Sequence, residues 1–108
     1  MINQWIGIGN VTKDFELKQI NENTQLVNFR IAVNDRKDDN NTLFVSVVAF
    51  NKLAELAADF LKKGDTVGVV GRLQIKQKDD RQYTEIVAEK LEFIKSPKNL
   101  APEDFLSQ

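Results

Sequence analysis

Between Leu26 and Asn34 the sequence LVNFRIAVN alternates apolar and polar side chains, and that period of two commits the segment to a β-strand. Val27, Phe29, Ile31 and Val33 fall on one side, Asn28, Arg30 and Asn34 on the other. Successive side chains of a strand point to opposite faces, so this segment buries one face and leaves the other wet. A half-buried strand needs partners, and the rest of the sequence supplies them. Residues 2–11, INQWIGIGNV, read as a first strand with Ile2, Ile6 and Ile8 facing the core; Gly7 and Gly9 mark a bend or a close backbone approach. Residues 42–50, TLFVSVVAF, are nearly all apolar and suit a strand buried on both faces for part of its length. Strands at 66–78 and 82–94 flank a turn at Asp79-Asp80-Arg81.

One helix separates the third strand from the fourth. Asn51 is its expected N-cap, Leu53, Leu56, Ala57, Phe60 and Leu61 recur at helical spacing as core residues, and Gly64 stands where a C-terminal cap belongs. The polar stretches 18–25 and 35–41 read as loops. From Ser96 onward two prolines and no periodicity predict a flexible tail, so the domain is expected at 1–95 and the tail at 96–108. The fold class is therefore all-β with one helix. Three strands, a helix and a long hairpin is the element order of the OB-fold, a five-stranded Greek-key barrel. An SH3-like barrel with an inserted helix has the same order.

Composition narrows the chemistry. The 108 residues contain neither cysteine nor histidine, which removes disulfide scaffolds, zinc sites of the usual ligand sets and histidine-assisted nucleophiles. The carboxylates cluster in turns or alternate along a strand, the pattern of solvated faces, so no enzyme, metal or cofactor is expected. Fifteen basic residues against sixteen acidic ones give a net charge of −1, so any affinity for a polyanion must come from where the cations sit. No signal segment and no run near the ~20 apolar residues of a membrane span is visible, and a cytoplasmic protein without membrane contact is expected.

The run NKLAELAADFLKKGDTVGVVGRL at 51–73 is the most informative stretch. Together with Thr42, Val47 and Phe50 it resembles the bacterial and phage single-stranded DNA-binding protein family, whose pattern runs T-E-W-H-x-V-x-x-F-G-K-L-A-E, then Y-L-x-K-G, then V-x-G-x-L. Lys52-Leu53-Ala54-Glu55, Phe60 to Gly64, and Val69, Gly71 and Leu73 supply the matches. Met1-Ile2-Asn3, Gly9, Asp14 and Glu16, Asn28-Phe29 and Tyr83-Thr84-Glu85-Ile86 extend the similarity over roughly residues 1–94. The resemblance implies an OB-fold that binds single-stranded DNA without sequence preference, by stacking bases on aromatic rings and tracking phosphates with cations. It departs from the family where tryptophans are expected: Phe44, Lys37 and Lys78 stand at those positions, which implies weaker and more salt-dependent binding.

The candidate DNA-binding residues follow. Phe44 and Phe50 share a face of the third strand; core packing is the competing reading, and the resemblance favours stacking. Arg72, Lys76 and Lys78 share one face of the fourth strand with Gln74, either as a phosphate track or as a solvated surface. Arg81 at the hairpin tip and Arg36 and Lys37 in the 35–41 loop extend that track. Lys52 and Arg30 are weighed against ordinary surface charges. Trp5 is read on the face of strand one away from the core. The resemblance implies pairing of that strand with a neighbouring subunit, so Trp5, Ile6 and Val45 are assigned to a subunit interface, with Trp5 alternatively a stacking platform. A homotetramer is expected, a homodimer next. Glu103-Asp104-Phe105-Leu106 is either a remnant of the family's acidic tip, which recruits replication and recombination proteins, or the end of a minimal phage-type protein. The competing function is an OB-fold protein-interaction adaptor in a replication complex with weak DNA or RNA binding.

Overall fold

The alternating segment becomes the middle of a long strand in the computed structural model, which describes residues 1–35 and 38–94. In chain order the elements are β1 (Trp5–Val11), β2 (Lys18–Asn21), β3 (Thr24–Asp35), β4 (Asp38–Phe50), α1 (Asn51–Phe60), β5 (Thr66–Lys78) and β6 (Arg81–Ile94). Arg36, Lys37 and the expected tail lie outside the described residues. Among the described residues, no helix is long and apolar enough to cross a membrane.

The strands form one sheet in the order β1-β5-β6-β4-β3-β2, and a further β1–β3 pairing closes it into a ring. All neighbours are antiparallel except β4 and β6, which run parallel where Val47 meets Ile86 and Val48 meets Val87. Closure makes one side of every ring strand an interior, and Val27, Ile31, Val47, Val67, Val69 and Ile86 fill it at 0–1% exposure. The helix lies across β3, β4 and β6 and buries Ala54 and Ala57 against them. This is the expected OB-fold barrel.

Five local expectations are corrected. Residues 18–21, read as loop, form the short exposed strand β2. Asn21 Oδ1 accepts the Asn23 N–H at 2.9 Å and sets a tight turn into β3, a local bond that hydrophobic periodicity cannot reveal. The loop read at 35–41 is shorter, because β3 runs to Asp35 and β4 starts at Asp38. The helix is capped differently. Phe50 is its N-cap without a side-chain bond, while Asn51, at φ 52°, accepts the Gln25 N–H at 3.0 Å. Gly64, at φ 91°, serves a separate turn beyond the helix and donates its N–H to the Val11 carbonyl at 2.7 Å. Phe60, expected in the core, is 62% exposed and tilts against Phe93, with ring centroids 5.7 Å apart.

The fifth correction concerns β1, whose faces are opposite to those expected. Ile6 and Ile8 point outward, whereas Trp5 lies over Gly7 and packs against the core. The glycines hold the inner face because backbones cross there: a Cβ on Gly9 would stand 2.6 Å from the Ala32 carbonyl oxygen. Gly71 is equally constrained. It follows an irregularity in the β5–β6 register after Val70, and a Cβ there would collide with the Val87 carbonyl. Gly68 differs, since its nearest would-be neighbour is the Glu92 Cβ at 3.4 Å, an ordinary contact. Gly71→Ala is therefore expected to lose about 1–3 kcal/mol of stability through overpacking, and Gly68→Ala less than ~0.5 kcal/mol. Urea unfolding of both variants checks the contrast; equal losses would contradict it.

Candidate functional site

Pairing register decides which side chains share the outer face of the barrel. Directly paired residues project to the same side, so Arg30 lies with Ser46, Asn28 with Val48, and Val48 with Val87. Across the β5–β6 hairpin, Arg72 lies opposite Val87, Gln74 opposite Glu85 and Lys76 opposite Tyr83. Asp79 and Asp80, both at positive φ, form a two-residue hairpin turn between Lys78 and Arg81. The outer face thus carries Arg30 from β3, Phe44 and Ser46 from β4, Tyr83 and Glu85 from β6, and the β5 row Arg72, Gln74, Lys76 and Lys78.

Part of this face walls an open cleft of about 1070 Å³. The hairpin end of β5 and β6 forms one side and β3 with β4 another, while the connection after β1 contributes Lys13, Phe15 and Glu16. Phe15 stacks on Phe29 with centroids 5.0 Å apart, giving the cleft an apolar wall. Phe44 and Tyr83 line it with their rings half exposed, at 58% and 49%. Lys13, Lys18, Arg30, Lys76 and Lys78 line it as cations, against Asp14, Glu16 and Glu85. Lys76 is paired, its Nζ lying 3.0 Å from Glu85 Oε1. Exposed rings beside cations accommodate flat aromatic groups on a polyanionic chain: stacking needs a free ring face, and phosphates need cations within reach.

The structure brings together some of the residues singled out from the sequence and separates others. Phe44, Arg30, Lys76 and Lys78 meet in the cleft. Phe50, 39% exposed, and Arg72 lie on the same outer face but beyond the cleft lining. Arg81 is exposed at the hairpin tip, paired across the turn with Lys78. Lys52 stands apart, in a shallow polar recess with Gln19, Gln25 and Glu55. Val45 is half-buried and packs against the core, as Trp5 does, whereas Ile6 is 69% exposed. Tyr83, Lys13 and Lys18 are cleft residues that sequence reasoning passed over. The two-residue turn at Asp79-Asp80 is the signal that finds Tyr83, because it fixes Tyr83 opposite Lys76.

The comparisons with known proteins agree with this fold. Residues 2–94 match the model of the single-strand binding protein family. The chain is 34% identical to single-stranded DNA-binding protein 2 of Staphylococcus aureus, over 92% of this chain and 77% of that protein. It is 38% identical to single-stranded DNA-binding protein 1 of Clostridium acetobutylicum, over 90% of this chain and 97% of that one. The crystal structure of the single-stranded DNA-binding protein from Thermus aquaticus superposes on it with a TM-score of 0.76 at 35% identity, covering 95% of this chain. This chain spans 45% of the Thermus chain.

Exposure separates the Phe44 ring from a core ring such as Phe29. Phe44→Ala should change the unfolding free energy by less than about 0.5 kcal/mol, whereas Phe29→Ala should cost about 3–5 kcal/mol. Denaturant unfolding tests this, and a comparable loss in Phe44→Ala would return that ring to the core.

Proposed function

The chain belongs to the single-strand binding protein family, and from that premise we propose that it binds single-stranded DNA independently of sequence, protecting it during replication, recombination and repair. The observation that carries this reading is the pair of half-exposed rings, Phe44 and Tyr83, facing one cleft among Arg30, Lys76 and Lys78. A single strand offers unstacked bases to such rings, and a duplex does not. Every base has a π-face, so the arrangement has no reason to prefer a sequence. Phosphates run along the cations, and Phe50 and Arg72 continue the path over the same face. Arg36 and Lys37, and the acidic-hydrophobic tail as a contact for replication proteins, complete the proposal from the sequence. The setting is the cytoplasm, where such DNA is exposed.

A second copy of the chain is proposed at β1. Among the described residues, Trp5 to Ile8 pair with β5 on one side only, since ladder pairing with β3 is confined to Asn10 and Val11 and Gly9 already lies against Ala32. That leaves a backbone edge beside the exposed Ile6 and Ile8, a surface suited to strand pairing between subunits. A homotetramer is the first assembly to test and a homodimer the second. Ile6→Lys with Ile8→Lys should lower the mass seen in sedimentation without unfolding the chain; an unchanged mass would remove β1 from the interface.

DNA titrations test the main proposal. Labelled oligo-dT should bind more tightly than a matched duplex. Phe44→Ala and Tyr83→Ala should each weaken binding by about 1–3 kcal/mol, roughly 5- to 150-fold. Arg72→Gln should lower the salt slope, d log K/d log[salt], by about 0.7 in magnitude. Equal affinity for duplex, or none of this salt dependence, would sink the proposal. Unchanged DNA affinity in a Phe44→Ala, Phe50→Ala double variant would favour the protein-adaptor reading instead, which the net charge of −1 motivates.

A further inference from the structure

Glu85 places a negative charge where a polyanion would lie. It projects from β6 onto the outer face, opposite Gln74 and two pairs along from Lys76 and Tyr83. Its Oε1 takes the Lys76 ammonium at 3.0 Å and accepts the Gln74 Nε2–H at 3.1 Å. The Glu85 side chain is only 13% exposed, against 55% for Lys76, yet it lines the same cleft as Phe44 and Tyr83. The cation beside the Tyr83 ring is thus neutralised from within the protein.

We propose that Glu85 is an internal competitor of the phosphate backbone, holding Lys76 in the free protein and cancelling its contribution to DNA affinity and to salt dependence. This rests on reading the cleft as the single-stranded DNA site. Two routes are open to Lys76 when DNA arrives, and they lead to the same result. If Lys76 stays on Glu85, it makes no phosphate contact and releases no counterion. If it turns to a phosphate, about 0.7 of a counterion leaves the strand. A mostly buried carboxylate then loses its partner, and a cation from solution takes its place. Net ion release is small either way. The cleft therefore holds DNA less tightly, and with a shallower salt slope, than its cations alone would dictate. A carboxylate that only braced Lys76 for phosphate binding would act in the opposite sense, and removing it would weaken binding.

The test is a double-mutant cycle in the intact chain with Glu85→Gln, Lys76→Gln and both together. The glutamine replaces the carboxylate at constant shape and keeps an oxygen for the Gln74 N–H. Thermal unfolding and sedimentation establish that each variant keeps the fold and assembly of the wild type. Each is then titrated with labelled oligo-dT at several salt concentrations. Glu85→Gln should tighten binding several-fold at low salt and steepen the salt slope by about 0.7. Lys76→Gln alone should move the slope far less. Adding Lys76→Gln to Glu85→Gln should return affinity and slope to near the wild-type values. Unchanged or weaker binding by Glu85→Gln overturns the proposal. So does tightening that survives in the double variant, which would come from charge removal at a distance and not from Lys76. Failure of the wild type to prefer oligo-dT over duplex would remove the premise, and the proposal with it, whatever the variants do.

Discussion

Closure of the sheet through β1 is the constraint on which the rest of the molecule depends. One short strand must pair with β5 along most of its length and with β3 at Asn10 and Val11. Only a residue without a Cβ passes this crossing, and Gly9 provides it, lying against the Ala32 backbone. The turn after the helix locks the same corner. The Asp65 carbonyl accepts the Val11 N–H at 2.9 Å, Val11 in turn accepts from Gly64, and Asp14 accepts the Lys63 N–H at 3.1 Å. The motif around Lys62-Lys63-Gly64 therefore identifies the fold by holding the barrel shut, and it does not itself line the cleft.

A closed barrel turns simple alternation into a division of labour. Inward residues of β3, β4, β5 and β6 fill the interior, so outward residues of those strands are free to carry binding groups. The parallel contact between β4 and β6 brings Phe44 and Tyr83 onto one face, although they are far apart in sequence. Selectivity for a polyanion then follows from placement rather than total charge. The chain is slightly acidic overall, yet Arg30, Lys76 and Lys78 converge on one cleft, with Glu85 paired to Lys76.

Much of this was legible in the sequence, and the exceptions have physical reasons. The strict alternation at 26–34 and the apolar run at 42–50 located β3 and β4, because their two faces differ sharply in polarity. β1 carries isoleucines on one side and glycines with tryptophan on the other, so polarity could not tell its faces apart. Crossing backbones select the glycine face as interior, and Trp5 folds over Gly7 to cover it. β2 is polar throughout and set by the local Asn21 bond, which leaves no periodic trace. Phe60 sits at helical spacing with the core leucines, yet the helix ends at that residue, where the barrel no longer covers it. Within the site, the cationic row on β5 was readable from spacing alone. Tyr83 was not, because Gln82-Tyr83-Thr84-Glu85 looks like any solvated strand until the hairpin register sets it beside Lys76.

The proposal that unites these relations is that single-stranded DNA meets the outer face shared by β3, β4, β6 and β5. Amide chemical-shift mapping of the labelled protein during addition of oligo-dT tests it most directly. The largest changes should fall on Arg30, Phe44, Ser46, Lys76 and Tyr83, leaving Phe60 and Phe93 at the far end of the helix unmoved. Changes concentrated around Phe60 and Phe93 or along the outward side of β1, with the cleft residues silent, would contradict it.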